Sequence, residues 1–211
     1  MRRLLLFALP LALAACGTDA DPNQAGPDSA TGPDGASAPG VGETDVSNTG
    51  VTYATARLDP LGESSATGTV TFTETDEGLL VEYDFTGLEL GEHGFHVHEN
   101  GACGRGDDGT LGGAAGGHFN PYDAPHGSRE GSRDERHVGD LGNITSAVGG
   151  VTGGVARGSF TDPLISLSGP NSIVDRAMMI HFKADDLSSQ PSGDAGDRVS
   201  CGVVQIATAP N

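Results

Sequence analysis

The chain has 211 residues, of which 36% are hydrophobic and only 5% aromatic, and its formal net charge is −18. This length suits one domain with additional terminal segments. The large excess of acidic residues argues against a nucleic-acid partner, because binding to phosphates needs clustered Lys and Arg.

Residues 1–15 have the pattern of a secretory signal peptide. Two arginines precede an apolar run that is too short to span the hydrocarbon core of a bilayer. Residues 13–16, LAAC, have the form of a bacterial lipobox, whose cysteine is lipidated and becomes the new N-terminus. We therefore expect an exported lipoprotein, anchored through Cys16 on the periplasmic or cell-surface side of a membrane. A plain secretory signal with a chance cysteine is the alternative.

After Cys16, the segment up to residue 50 is rich in Gly, Pro, Ser, Thr and Asp and has almost no large apolar side chain. Such a segment buries too little surface to offset the entropy cost of ordering it. We predict that residues 16–50 are a disordered tether and that residues 51–211 form the single folded domain.

Short strand-like segments separated by Gly-rich turns fill this domain. They cover residues 51–58, 68–75, 79–88, 93–99, 153–161, 164–169, 177–184 and 201–209. No long helical period competes with them, and the chain has thirty-four glycines. The pattern predicts an all-β domain, an eight-stranded antiparallel sandwich or flattened barrel with long loops.

The fourth of these segments contains His96 and His98. Side chains at positions i and i+2 of a strand point to the same face, so the two imidazoles can converge on one metal ion. Two polar residues on a solvated strand face are the other interpretation.

A long stretch with little strand character follows, from residue 100 to 136. A loop of this length in a compact domain is usually functional or held by something. In and just after it lie three histidines and an aspartate that suit a closed, tetrahedral structural zinc site: His118, His126, His137 and Asp140. His181, in a later strand-like segment, would complete a nitrogen-only set with His96 and His98, which suits copper.

Two cysteines remain once Cys16 is assigned to the lipid. In an exported protein, Cys103 and Cys201 most simply form one disulfide, and two free buried thiols are the alternative.

Five motifs, in this order, resemble the copper/zinc superoxide dismutase family. They are GFHVHE (94–99), GGHFNP (116–121), RHVGDLGN (136–143), ADDL (184–187) and DAGDRVSCGV (194–203). The resemblance extends over the whole predicted domain. It implies a Greek-key β-sandwich or flattened barrel that dismutates superoxide to dioxygen and hydrogen peroxide, with one copper and one zinc per subunit.

The resemblance also implies a role for each matching residue. Copper would be held by His96, His98, His118 and His181, and zinc by His118, His126, His137 and Asp140, with the ring of His118 bridging the two metals and carrying a proton. Further implied roles are a carboxylate that orients ligands of both metals, an arginine that guides the anionic substrate, and an intrasubunit disulfide: Asp185, Arg198, and Cys103 with Cys201.

Some alternatives stay open at this level. A dismutase-like protein that stores or transfers copper or zinc would be expected to lack a copper ligand or the guiding arginine, and this chain has them all. A zinc hydrolase needs an open zinc position, whereas the set in the loop looks closed. In animal-type members the segment that corresponds to residues 103–118 helps to build a dimer interface. This segment is longer here, which leaves open whether the protein is a monomer or a homodimer.

Overall fold

Alternating apolar residues build the strands of a closed antiparallel barrel. The structure is a computed structural model that describes residues 52–151 and 153–210. Its strands are β1 (Tyr53–Pro60), β2 (Thr67–Thr75), β3 (Gly78–Leu88), β4 (Gly91–His98), β5 (Asp140–Val148), β6 (Gly154–Asp162), β7 (Ala177–His181), β8 (Arg198–Val203) and β9 (Gln205–Ile206).

The sheet order is β2-β3-β6-β5-β4-β7-β8-β1-β9, and pairing of β1 with β2 closes the barrel. All the pairings between strands are antiparallel. Because β3 pairs with β6 while β4 lies between β5 and β7, the connections are of the Greek-key type. The predicted fold class is therefore confirmed, as a barrel of eight strands with a short ninth.

The strand predicted at residues 164–169 is wrong. Apart from one isolated bridge between Ser166 and Ser172, this segment is irregular, and Gly169–Asn171 forms a turn of 3-10 helix. The carboxylate of Asp162 accepts a hydrogen bond from the backbone N–H of Leu164 (2.8 Å), which turns the chain at the end of β6. The apolar alternation in this segment arises because side chains of an irregular turn pack into the core, and it does not indicate a strand.

Strand β5 was missed, because its first residues were assigned to the metal-binding loop. It begins at Asp140 and is mostly buried. At the other end of the chain, the segment predicted at residues 201–209 is divided between β8 and the two-residue β9.

Strand β4 separates the core from the metal-binding face. Phe95 and Val97 point into the barrel and belong to its buried core, where the Phe85 and Phe95 rings lie 5.8 Å apart. The alternate residues, His96 and His98, therefore point out of the barrel, although both are buried. Loops must cover this outer face.

The loop between β4 and β5 supplies that cover, and it is fixed to the barrel at several points. A disulfide joins Cys103 to Cys201 of β8. Arg176 donates to the carbonyl of Glu99 (2.6 Å) and lies over the ring of Phe119, with its guanidinium carbon 3.4 Å from the ring centroid. The loop has little regular structure, as predicted, and its position depends on these contacts.

The signal peptide, the lipidated Cys16 and the tether predicted for residues 1–50 lie outside the described residues. Within the described part of the chain, no helix is long and apolar enough to cross a membrane.

Candidate metal centre

Seven side chains from separate parts of the chain meet on the outer face of β4. Two come from β4 itself, one from the end of β7, one from the start of β5, and the others from the loop between β4 and β5. They form two overlapping groups whose potential ligand atoms lie within 4.8 Å of one another: His96, His98, His118 and His181 in the first, and His118, His126, His137 and Asp140 in the second. All the members are buried, and His118 belongs to both groups.

The first group, which we call the four-histidine cluster, is assembled by backbone pairing. An isolated bridge places His118 opposite His98, and the ring of His118 lies 4.0 Å from the ring of His96 between centroids. The Nε2 atoms of His98 and His181 are 3.4 Å apart.

The second group, which we call the carboxylate cluster, centres on Asp140. Its Oδ1 atom lies 2.7 Å from His118 Nδ1, 3.0 Å from His126 Nδ1 and 3.2 Å from His137 Nδ1. Its Oδ2 atom accepts hydrogen bonds from the backbone N–H groups of Gly127 (3.0 Å) and His137 (2.9 Å). The backbone therefore fixes one carboxylate oxygen and leaves the other facing three imidazole nitrogens.

Hydrogen bonds on the outer side of each cluster set the tautomers of the rings. His96 Nε2 lies 2.8 Å from an oxygen of Asp185, His98 Nδ1 lies 3.0 Å from the carbonyl of Gly116, and His181 Nδ1 lies 3.1 Å from the carbonyl of Gly196. Since these partners are acceptors, the ring nitrogens that face them carry the protons. The lone pairs of all three rings then point into the cluster.

Both clusters fit metal ions in the chemistry of their donors. Four buried ring nitrogens have no hydrogen-bond partner among the described residues: His96 Nδ1, His118 Nε2, His126 Nδ1 and His137 Nδ1. Buried polar atoms are rarely left unpaired, and lone pairs that face one another repel unless a cation lies between them. Four imidazoles suit copper, and three imidazoles with one carboxylate suit tetrahedral zinc.

Burial lowers the pKa of three histidines in the four-histidine cluster. Desolvation, reinforced by neighbouring imidazoles, lowers the pKa of His98 and His181 well below the ordinary value. Desolvation and the ring of His96 lower the pKa of His118 to about 3, although Asp140 opposes them. The rings of His98, His118 and His181 are therefore neutral at physiological pH, as metal binding requires.

At His126, by contrast, two neighbouring carboxylates raise the pKa of the ring. Burial lowers its pKa, but the contacts with Asp140 and Asp185 outweigh burial and raise the pKa to about 9. Burial alone would raise the pKa of the Asp140 and Asp185 carboxyl groups. Their contacts with histidines have the larger, opposite effect, so the pKa of each carboxyl group lies below its ordinary value. Both carboxylates are ionised at neutral pH.

These shifts predict that the metal-free protein is most stable near pH 6.5. His98, His118 and His181 bind protons more weakly when folded, so acidification below the ordinary histidine pKa of about 6.5 favours unfolding, by up to roughly 1.4 kcal/mol per pH unit for each histidine. His126 has the opposite effect because its pKa is raised in the folded protein. Its contribution to the free energy of unfolding is fully present below pH 6.5 and is lost as the pH rises towards about 9.

Urea unfolding of chelator-treated protein at pH 5.0, 6.5 and 8.5 tests this prediction. We expect the free energy of unfolding to fall on both sides of pH 6.5, more steeply on the acid side. A value at pH 5.0 equal to or above that at pH 6.5 would contradict it.

A channel of about 400 Å³ leads to the four-histidine cluster. His98, His118, His181 and Arg198 are among the residues that line it. The guanidinium group of Arg198 donates to the carbonyls of Gly112 (2.5 Å) and Gly116 (2.6 Å) in the loop. A fixed positive charge therefore stands beside the cluster, where it favours a small anion.

One further carboxylate joins the two clusters from outside. Asp185 Oδ2 lies 2.8 Å from His96 Nε2, and Asp185 Oδ1 lies 2.9 Å from His126 Nε2. Each ring thereby directs its Nδ1 atom towards its own cluster. Asp185 thus contacts one histidine of each cluster.

Comparison with known proteins assigns the family. The profile of the copper/zinc superoxide dismutases matches residues 66–204. The chain belongs to the copper/zinc superoxide dismutase family. It is 43% identical over 150 residues to superoxide dismutase [Cu-Zn] A of Xenopus laevis, a match that covers 68% of this chain and 91% of that protein.

Two further matches agree with this family. The chain is 42% identical over 143 residues to the extracellular superoxide dismutase [Cu-Zn] of Caenorhabditis elegans, covering 65% of this chain and 60% of that protein. It also resembles the crystal structure of the clock protein EA4, with a TM-score of 0.63 and 40% identity over 74% of this chain and 95% of that one. The copper/zinc superoxide dismutases use copper and zinc, and the two clusters provide donors for both metals.

The sequence predictions named all the members of both clusters, but they missed most of the contacts that orient them. Backbone carbonyls of Gly116 and Gly196 leave no signal in a sequence. Asn143 lies within one of the quoted motifs without an assigned role, yet its side chain binds the backbone of Asp185 at both N–H (2.7 Å) and C=O (2.8 Å). Gln190 binds the backbone of His126 in the same way.

Proposed function

We propose that this protein dismutates superoxide, converting two superoxide anions and two protons to dioxygen and hydrogen peroxide. In this proposal, copper is held by the four-histidine cluster and zinc by the carboxylate cluster. Copper supplies one-electron redox chemistry between Cu(II) and Cu(I), and zinc supplies a fixed positive charge. The observation that carries the proposal is the position of His118, whose two ring nitrogens face different clusters.

His118 is also the residue best placed to carry a proton. Its Nε2 atom is buried without a hydrogen-bond partner among the described residues, and its ring borders the channel. A proton held at Nε2 can be donated to the reduced substrate as it becomes hydrogen peroxide. Nδ1 meanwhile stays directed at Asp140 Oδ1, 2.7 Å away. Only an imidazole offers two such nitrogens on one ring.

Arg198 binds and orients the substrate in this proposal. Its guanidinium is half-buried, and its two hydrogen bonds to loop carbonyls limit its movement. The remaining N–H groups can donate to the oxygen atoms of a diatomic anion in the channel. Charge attraction there opposes the repulsion expected from a chain whose formal net charge is −18.

We further propose that the protein acts outside the cytoplasm. The Cys103–Cys201 disulfide supports this, since such bonds persist in oxidising compartments. One relative is named an extracellular enzyme. The lipid anchor at Cys16 remains a prediction that mass spectrometry of the membrane-extracted protein would test. The sequence leaves the oligomeric state open, and sedimentation of the purified protein would determine whether it is a monomer or a homodimer.

The experiment that tests the function combines metal analysis with a superoxide-consumption assay. Purified protein is expected to contain one copper and one zinc per chain and to consume superoxide. Removal of copper alone should abolish consumption, and its return should restore it. Protein that keeps bound copper without consuming superoxide would refute the proposal and favour copper storage.

A further inference from the structure

The loop between β7 and β8, residues 182–197, contains a side chain that pairs with the backbone of a zinc-cluster histidine. Gln190 Oε1 accepts a hydrogen bond from the N–H of His126 (2.8 Å), and Gln190 Nε2 donates to the C=O of the same residue (2.9 Å). Nε2 also donates to the carbonyl of Ser188 (3.1 Å), which holds the amide in place. One side chain thus satisfies both backbone groups of His126, as a neighbouring strand would.

His126 depends on such contacts because no regular structure supports it. The residues on either side of it belong to no strand or helix. The next residue, Gly127, is held by Asp140 through its N–H group. At His126 itself, the backbone is held by Gln190 and the ring by Asp185, and both of these residues belong to the loop between β7 and β8.

The same loop packs tightly against the ring of His126. Gly193 has φ +67°, a conformation that favours glycine, and any side chain there would collide with the carboxylate of Asp185 and approach His126 Nε2. This close approach places the loop backbone directly against the ring of His126. Gln190 then fixes the end of the loop that faces His126.

A second amide makes the same two-point contact elsewhere and offers a comparison. Asn143 of β5 binds the backbone N–H and C=O of Asp185. Since the carboxylate of Asp185 contacts both His96 and His126, Asn143 acts on both clusters. Among the described residues, the hydrogen bonds of Gln190 reach only His126 and Ser188, so Gln190 acts on the carboxylate cluster alone.

We propose that Gln190 is a positioning residue that retains zinc by holding the backbone of His126 against the carboxylate cluster. This inference rests on the zinc assignment in the proposed function. Without the Gln190 amide, His126 can swing away from Asp140, which opens the zinc site from the loop side. The copper ligands keep all their contacts, so the effect is selective for zinc.

Metal release from the loaded, purified protein tests this inference. Zinc and copper transfer to a coloured chelator are timed separately for the wild type, Gln190→Ala and Gln190→Glu. In the Gln190→Glu variant the side chain keeps its size and the oxygen that accepts from the His126 N–H, but it loses the N–H group that donates to the His126 carbonyl. Each lost hydrogen bond is worth about 0.5–1.5 kcal/mol, so the alanine variant should release zinc about tenfold faster, with copper release unchanged.

Two further variants separate positioning from general loosening. Ser188→Ala removes an exposed hydroxyl that bonds Asp186 within the same loop, and it should release both metals at the wild-type rate. Asn143→Ala should release both metals faster. Equal zinc release from Gln190→Ala and the wild type, or equal acceleration of both metals in Gln190→Ala, would overturn the inference. Wild-type protein that binds no zinc would overturn the zinc assignment itself, and the inference with it.

Discussion

Replacing His96 by alanine is expected to lower superoxide consumption more than about a hundredfold. Loss of an outer partner of a metal ligand alone typically costs roughly ten- to hundredfold, and His96 is assigned as a ligand itself. The side chain is fully buried, and its Nδ1 atom faces the four-histidine cluster without a partner among the described residues. The carboxylate cluster keeps its own side chains, so the variant should lose copper and retain zinc. Metal analysis and the superoxide assay on the same sample check both expectations.

His93 provides the matched control for this variant. It is the only one of the seven histidines outside both clusters, and it is also buried on β4. Its ring lies 2.8 Å from the carbonyl of His181 and 3.0 Å from that of Glu89. His93→Gln should therefore lower stability while keeping most of the activity per bound copper. Full activity in His96→Ala would refute the copper assignment.

Removing one partner of the buried ion pair between Arg136 and Asp162 is expected to destabilise the protein by about 3–5 kcal/mol, because the other charge stays buried and unpaired. The two side chains are 1% and 0% exposed, and Arg136 Nη2 lies 2.8 Å from both carboxylate oxygens. For a domain of this size, such a loss lowers the unfolding midpoint by roughly 6–20 °C. Thermal unfolding of Arg136→Met measures it.

An exposed pair of the same type serves as the control. Arg157 of β6 lies 2.8 Å from Asp84 of β3, but the two side chains are 65% and 54% exposed. Exposed pairs contribute little, so Arg157→Met should move the midpoint by no more than a few degrees. Equal shifts in the two variants would contradict the account of the buried pair.

The buried pair also connects stability to the metal centre. Arg136 precedes His137 in the chain, and its Nη1 atom donates to the backbone carbonyl of Asp140 (2.9 Å). Asp162 ends β6 and, through its carboxylate, turns the chain that follows. The pair thus fastens the last part of the metal-binding loop to the barrel. We expect Arg136→Met to bind zinc more weakly as well, which titration with a zinc indicator would detect.

The sequence predicted the members of the metal centre better than the strands that carry them. His96 and His98 are two positions apart in a strand, so their side chains point to the same face. This can be predicted from the local sequence alone, without knowledge of distant contacts. By contrast, Asp140 both begins β5 and belongs to the carboxylate cluster. Its assignment to the metal-binding loop therefore led to β5 being missed. At residues 164–169, burial of Ile165 and Leu167 produced a strand-like alternation in a segment that is mostly irregular.

The contacts that orient the ligands lay beyond sequence reasoning for a different reason. Gln190 and His126 are 64 positions apart, and their contact involves only the backbone of His126. Nothing in the residue type of either partner indicates such a contact. The carbonyls of Gly116 and Gly196 present the same difficulty, because every residue has a carbonyl group. Tertiary structure decides which of them meets a histidine ring.

Diffraction data collected at the copper and zinc absorption edges, from crystals of the metal-loaded protein, test the shared role of His118 most directly. We expect one copper peak beside Nε2 of His118, among the rings of His96, His98 and His181, and one zinc peak beside Nδ1, among His126, His137 and Asp140. A single metal peak, or two peaks of which either lies away from His118, would contradict the proposed centre.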